Sequence, residues 1–584
     1  MKIAEVKGRP MLHWVGKRPL TEVKAFPAQL IEVYNAKDAP MVPLFENLKN
    51  SWANLLFHGD NKDILSTLLV NGFRGNIDLM YSDPPFDSGA NYVRKVELRG
   101  TKTKLGGEEQ SLLEQIQYTD IWANDNYLQF MYERLILIRE LLSEKGSLYL
   151  HCDWHKSHYL RCLLDEVFGP GNFKNEIIWY YPDKFATGGK SLDKNHDTIL
   201  HYSKTNEFIG NEIKISKPEK TKRALRKKVN GKTTDVLDEK GNKIYQEYTE
   251  KRIDDVWQIG RSIPNNQYLN YPTQKKDDVV ERIIAYGAEP DSIIMDPFMG
   301  SGTTAAVAQR SGYRWIGCDI NKGAIQTTVK RLQGIIKEQQ KTPQFGFKKI
   351  YPSFAHYRVN DYDLQIQHNE FKQLVFEHLG IIRSKTDSFF DGLLGKELVK
   401  IIPFNHPLTM LDLQLVKDEL QKRREEERNI VLVSLGKELR VDEELERYNK
   451  AKPINKIRVI ELRTDKKYGS FFTHKPAQAD VEISKKNGKG NVRILDFISP
   501  TVLHRLNIDA NLFQAQVKNF KSQIDVVLID TDYNGETFNI VISDVPEKKS
   551  NLIAGEYEFD LPNPKARIAV KIIDMLGEEV LTIK

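Results

Sequence analysis

Residues 296–304 read Asp-Pro-Phe-Met-Gly-Ser-Gly-Thr-Thr and follow directly on the apolar run Ile293-Ile294-Met295. Small residues at Gly300, Ser301 and Gly302 let a ligand approach the backbone. The amides at the start of the helix that Thr303 opens favour an anionic group. A second apolar run, Trp315-Ile316-Gly317-Cys318, ends in Asp319. That is about the twenty-residue spacing of an acid that accepts ribose hydroxyls after a glycine turn. There are two glycines rather than three, and no GxxxxGK[ST] run. An adenosine cofactor without a pyrophosphate is therefore favoured over a dinucleotide or ATP.

A second constellation, Asp83-Pro84-Pro85-Phe86, closes another apolar run, Asn76 to Ser82. The prolines stiffen the turn at a strand's C-terminal edge, where α/β sheets place ligands. Asp83 offers one acceptor, the Asp83 or Pro84 carbonyl another, and Phe86 a stacking face. Two acceptors beside an aromatic face suit an exocyclic amino group on a flat base. Taken alone, such a string is also what an ordinary proline-bounded loop looks like. Its pairing with the glycine motif favours the site.

These motifs need elements to hold them. From about residue 54 to 332, short apolar runs alternate with amphipathic stretches, such as the helical periodicity over 127–144 and 279–286. That rhythm predicts a doubly wound α/β sheet. Two polar stretches, about 87–117 and 204–251, interrupt it as insertions at the edge of a site. Beyond about residue 339 the character changes to a mixed, β-rich domain that contains a charged helix over 411–427. With 584 residues, 40% hydrophobic and 28% charged, the chain has the composition of a soluble, multi-domain protein. No apolar run approaches a membrane span, and the first twenty residues lack a secretory signal's apolar core. Cys152, Cys162 and Cys318 are too few for a disulfide framework, which suits a reducing cytoplasm. Net charge is a mild +6, but eight basic residues against one acid, Glu219, lie between Lys217 and Lys232. Lys217, Lys220, Arg223, Arg226, Lys227 and Lys228 are candidates for phosphate contact; the competing reading is a solvated loop.

Together the motifs resemble the β-class DNA amino-methyltransferases, enzymes that use S-adenosylmethionine to methylate exocyclic nitrogens. Asp83, Pro84, Pro85 and Phe86 resemble the catalytic tetrapeptide in its aspartate-initial form, associated with adenine N6; the cytosine-N4 enzymes usually begin it with Ser. Residues 296–304 resemble the cofactor glycine motif. Residues 271–275, Tyr-Pro-Thr-Gln-Lys, resemble the motif just upstream, with Lys276 where the family usually has proline. The resemblance implies a Rossmann-like sheet in circularly permuted order, because the catalytic motif comes first. It also implies cofactor binding by Asp60, Lys275, Asp296, Phe298, Gly300, Ser301, Gly302, Thr303 and Asp319. The stretch 146–169 and Asn175-Glu176-Ile177-Ile178-Trp179 are similar to modification subunits of type III restriction systems.

The division expected is an N-terminal extension (1–50), a catalytic half (51–174), a target-recognition region (175–270), a cofactor half (271–338) and a C-terminal accessory domain (339–584). The function implied is site-specific methylation of a flipped adenine in duplex DNA, within a restriction-modification or related defence system. Cytosine-N4 methylation, or a main role as the DNA-recognition subunit of a larger restriction complex, stays open beside it, as does an RNA substrate. Duplex DNA, a homodimer and a helicase-nuclease subunit are the partners this reading suggests, and the cytoplasm the place. His151, His155 and His158 with Asp153 are read as part of the family strand and the helix after it, not as a metal site. Glu482 and Lys485, at the spacing of a nuclease string, have no Pro-Asp partner at suitable spacing.

Overall fold

The structure, a computed structural model, describes residues 52–85, 91–97, 112–119, 124–183, 192–229, 232–264, 274–341 and 351–359. It also describes parts of 2–34 and most of 375–462, 477–500, 519–546 and 551–584. At its centre is an eleven-stranded sheet. Three strands come first, β1 (Ala28–Tyr34), β2 (Asn54–His58) and β3 (Ile77–Ser82). Strands β4 (Asn91–Glu97) and β5 (Leu112–Thr119) form a two-stranded sheet of their own among the described residues. The sheet resumes with β6 (Leu142–Cys152), β7 (Phe173–Tyr180) and β8 (His196–Ser203). Four strands then leave it: β9 (Lys214–Ala224), β10 (Arg226–Val229), β11 (Lys232–Asp235) and β12 (Tyr245–Arg252). The sheet takes up β13 (Val256–Gln258), β14 (Ile293–Asp296), β15 (Arg314–Asp319) and β16 (Phe354–Val359).

Six neighbours at the centre, β6, β3, β14, β15, β2 and β16, run parallel. Parallel pairs need crossovers, and helices supply them. These are α1 (Asn61–Leu68), α2 (Asn124–Leu141), α3 (Ser157–Phe168), α4 (Asp277–Gly287), α5 (Thr303–Ser311) and α6 (Lys322–Lys341). Because helices cover both faces, β2 and β14 are buried along their whole length. Alternate side chains serve two cores: Leu55 and Phe57 pack with α1, α2 and α3, and Leu56 with α4, α5 and α6. Strand β8 is antiparallel to both β6 and β7. The sheet is the doubly wound α/β architecture that the strand–helix rhythm predicts, in the permuted order that the family resemblance implies, with β3 of the tetrapeptide beside β14 of the glycine motif.

The chain after residue 380 is mixed α/β before it is β-rich. Strands β17 (Ile382–Arg383), β18 (Gly392–Leu394), β19 (Glu397–Ile401), β20 (Ile430–Ser434) and β21 (Ile457–Glu461) form one sheet. Its last three strands are parallel, connected through α7 (Met410–Lys422) and α8 (Leu439–Lys450). The charged helix expected over 411–427 is α7; it begins at a capping box of Thr409 and Asp412 and ends earlier, at Lys422. Strands β22 (Gln478–Lys486), β23 (Lys489–Ile498), β24 (Ile524–Asp530), β25 (Phe538–Ile540), β26 (Ile542–Asp544), β27 (Glu556–Asp560), β28 (Ala569–Asp574) and β29 (Glu579–Ile583) complete the chain. Strand β25 pairs with β1 at the edge of the large sheet. Val526, Leu528 and Ile573 join the core under α4, α5 and α6. Among the described residues no helix is long and apolar enough to cross a membrane.

Candidate active site

Parallel strands end at the same edge of a sheet, so residues far apart in sequence meet there. Asp296 and Asp319 are the last residues of β14 and β15. Asp83 lies one residue past β3, and Asp60 two past β2. These four strands are consecutive neighbours, β3-β14-β15-β2. The acids therefore line one edge, the place where open α/β sheets bind ligands.

The glycine motif is a turn tied down by those acids. Asp296 accepts from the Phe298 amide at 3.0 Å and the Thr304 hydroxyl at 2.5 Å. Asp319 accepts from the Gly300 amide at 2.8 Å and the Asn321 amide at 2.8 Å. Gly300 and Gly302 have φ of 53° and 74°, the left-handed region glycine adopts at low cost. A Cβ on Gly302 would also meet Thr328 Oγ1 at 2.5 Å. Ser301 and Thr303 are buried in the turn. Burial pushes the carboxyl of Asp296 up to about 7, against the Thr304 and Phe298 hydrogen bonds. Burial raises that of Asp319 to about 6.

Asp60 caps α1 through the Lys62 amide at 2.7 Å and holds Arg134 with both carboxylate oxygens, at 2.8 and 3.0 Å. The Gly59 amide donates to the Asp319 carbonyl at 3.0 Å, which ties this corner to the glycine turn. The Arg134 guanidinium lies 3.5 Å from the Phe130 ring centre, and Phe130 meets Phe298 at 6.1 Å.

Asp83 sits between a lysine and a histidine. Lys275 Nζ lies 3.1 Å from Oδ2 and His151 Nδ1 3.1 Å from Oδ1. The same Nδ1 is 3.1 Å from the Tyr81 hydroxyl, and Nε2 faces Asp197 at 3.3 Å. By its geometry the His151 contact to Asp83 Oδ1 is not a directed hydrogen bond, so this buried oxygen keeps an acceptor to offer. Burial pushes the Asp83 carboxyl up, but Lys275 and His151 outweigh it and hold it below the usual range. For His151, burial and Lys275 oppose the charge; Asp83 and Asp197 outweigh them, so it is raised. Thr303 donates to the Lys275 carbonyl at 3.4 Å, linking the lysine to the glycine turn. Pro84 is buried and Pro85 half-buried. Phe86 and Tyr271, Pro272 and Thr273 lie outside the described residues.

Three participants escape motif reading: Arg134, His151 as the carboxylate's neighbour, and Asp197. Asp197 left one signal, an acid opening the apolar run of β8. Among the described residues no three His, Cys, Asp or Glu side chains gather as metal ligands would. His155 is engaged by Asp153 at 2.5 Å, and Lys485 donates to the Ala566 carbonyl at 2.6 Å.

The basic segment is not a loop. It folds into β9 and β10, because antiparallel partners are available: β12 pairs with β9, and β11 with β10. Arg223, Arg226, Lys227 and Lys228 are exposed. Arg226 pairs with Asp235 at 3.1 Å. The side chains of Lys217 and Lys220 lie outside the described ones.

A mostly parallel sheet with a glycine turn and four acids at one edge defines a nucleotide-type ligand site of the α/β class. Comparison with known proteins narrows the class. Residues 77–330 match the profile of the N6_N4_Mtase family, described as a DNA methylase. Type II methyltransferase M.EcaI of Enterobacter cloacae is 28% identical over 337 residues, 48% of this chain and 69% of the relative. DNA adenine methyltransferase YhdJ of Escherichia coli K12 is 25% identical over 285 residues, 48% of this chain and 83% of the relative. The Mod subunit of the type III restriction-modification enzyme StyLTI of Salmonella typhimurium is 31% identical over 171 residues. That match spans 28% of this chain and 26% of the relative.

Proposed function

We propose that the chain methylates the exocyclic N6 of an adenine flipped out of duplex DNA, at a short specific sequence, with S-adenosylmethionine as donor. The observation that carries this is Asp83: a carboxylate held ionised between Lys275 and His151, with a buried oxygen that lacks a directed hydrogen-bond donor, beside the glycine turn. The turn and its acids fit the donor: the backbone of residues 300–302 is left bare of bulky side chains, and buried carboxylates offer acceptors. Asp319 would take the ribose hydroxyls and Asp60 the adenine end. Phe298, Gly300, Ser301, Gly302 and Thr303 would line the rest, with Asp296 shaping the turn and Lys275 bridging to Asp83. S-adenosylmethionine, when bound, supplies an electrophilic sulfonium methyl group.

The chain's own work is positioning. Flipping the base costs about a few kcal/mol, and Phe86 would stack on the extruded ring. The amino nitrogen's lone pair is delocalised into the ring. Asp83, with the Pro84 carbonyl, would accept the two N–H bonds and favour a nitrogen whose lone pair points at the methyl. As the methyl group passed from the sulfonium sulfur to N6, one N6 proton would leave the amine, and Asp83 would accept it. No covalent enzyme intermediate is needed, so Cys152 and Cys318, both buried with thiols pushed up by burial, have no part. Preorganised hydrogen bonds and orientation supply the rate.

Similarity to a Mod subunit supports a place in restriction-modification, with a helicase-nuclease partner, a homodimer and work in the cytoplasm as parts of that reading. The test is expression in a methylation-free host, followed by nuclease digestion and mass spectrometry of the DNA. N6-methyladenine supports the proposal. N4-methylcytosine would move the substrate to cytosine, and no modified base would reject it.

A further inference from the structure

Strands β9 and β12 stand apart from every core of the molecule: none of the described residues over 214–252 is buried. An isolated two-stranded ribbon is marginal in water, so this one is built to be covered by something. Its charge says by what. Residues 214–252 hold thirteen Lys and Arg against six Asp and Glu, an excess larger than the whole chain's +6.

Register sorts the ribbon's side chains into two faces, because directly opposed residues of an antiparallel pair point the same way. Lys222 opposes Glu247 and Ala224 opposes Tyr245 on one face. The Lys222–Glu247 ion pair, 3.3 Å, neutralises charge there. Arg223 opposes Gln246 and Thr221 opposes Tyr248 on the other. There the Tyr248 hydroxyl donates to Gln246 Oε1 at 3.3 Å and orients the amide. Arg223 pairs with no acid among the described residues, whereas Arg226 is engaged by Asp235. A planar guanidinium beside an oriented carboxamide is the pair of groups that reads purine edges, Arg on guanine O6 and N7, Gln on adenine N6 and N7. The major groove admits a two-stranded ribbon of this size.

We infer that the β9–β12 ribbon enters the major groove of the substrate duplex and that Arg223 and Gln246 read base edges, so they set the recognised sequence. This rests on the reading of the chain as a DNA methyltransferase, and it gives Arg223 a role other than phosphate contact. Lys227 and Lys228 on β10 keep the phosphate role.

The test is selection of bound duplexes from a random-sequence pool, run on the full chain and on Arg223→Lys, Gln246→Ala and Lys227→Ala/Lys228→Ala. Long-read mapping of methylated bases in a methylation-free host runs beside it. Arg223→Lys keeps the charge and loses the fork that makes two parallel hydrogen bonds. It should relax the selected motif at one base pair by about tenfold or more, with the salt slope unchanged. Gln246→Ala should relax a neighbouring position. The double lysine variant should bind all sequences more weakly with the motif intact. An unchanged motif in both Arg223→Lys and Gln246→Ala overturns the inference, as does a native chain that selects no motif. A native chain that selects a motif relaxed by these variants but methylates nothing rejects the proposed function and keeps the ribbon's role.

Discussion

At the level of single residues the site is a matter of which charges are allowed to exist. Asp83 is ionised because Lys275 and His151 outweigh its burial. Asp83→Ala should lower turnover by about 10²-fold or more, the usual loss when a preorganised hydrogen bond is removed. Cofactor affinity, measured by calorimetry, should stay nearly the same. More than a tenth of native turnover would reject the assignment. Asp319→Ala should weaken S-adenosylmethionine binding at least tenfold, about 1.4 kcal/mol; equal affinity by calorimetry would remove Asp319 from the site. Asp296 offers a stability signature. Its carboxyl is pushed up to about 7, above its unfolded value. Such a group stabilises the fold fully below the unfolded pKa, and that contribution is lost as pH rises through the folded one. Asp296→Asn stays uncharged and can still meet Phe298 and Thr304. Thermal melts should therefore show its Tm gaining on the native protein between pH 5 and 8. A constant difference would mean that Asp296 titrates normally.

The glycine turn and the ribbon are the elements whose geometry is most constrained. Gly302→Ala faces two obstacles, a positive φ and Thr328 at 2.5 Å. The second can be relieved separately, by adding Thr328→Ala. The single variant should bind S-adenosylmethionine at least tenfold more weakly, about 1.4 kcal/mol, and the double variant should recover part of that loss. Equal affinity in all three proteins would place the cofactor elsewhere. For strand β10, Lys227→Ala/Lys228→Ala should flatten the slope of log affinity against log salt by about 0.9 per lost phosphate contact. An unchanged slope would make these lysines solvated surface only.

In the whole molecule the two ends of the chain close on each other across the large sheet. Glu32 on β1 pairs with Lys571 on β28 and faces His356 at 3.3 Å, with all three side chains at or below a tenth exposed. Burial pushes the Glu32 carboxyl up, and Lys571 and His356 outweigh it, so it is held well below the usual range. Lys571 also faces Glu579 at 3.7 Å, and Glu579 meets Lys322 at 3.1 Å, three residues beyond Asp319. Removing one member of a buried pair strands the other. Lys571→Met should cost about 3 kcal/mol in urea unfolding, and Glu32→Gln with Lys571→Met should restore much of it. Equal stability of the single variant and the native chain would show that water reaches Glu32.

The chain's composition and order of residues determine the alternation of strands and helices, because a parallel sheet buried on both faces must read as short apolar runs between amphipathic ones. They also determine the two motifs, whose chemistry depends on local backbone: a glycine turn at 300–302, a proline-stiffened carboxylate at 83. What lies between motifs is decided by tertiary structure. Asp83 meets His151, and His151 meets Asp197, only because β3, β6 and β8 are consecutive in the sheet, and strand neighbours are set by packing, which leaves no local signature. From its charge the basic stretch reads as either a solvated loop or a phosphate-contacting segment; β12, more than twenty residues on, supplies the backbone partners that make β9 a strand. Strands β1 and β25 join the sheet from stretches read as an extension and an accessory domain, since an open edge accepts any strand that brings hydrogen bonds and an apolar face.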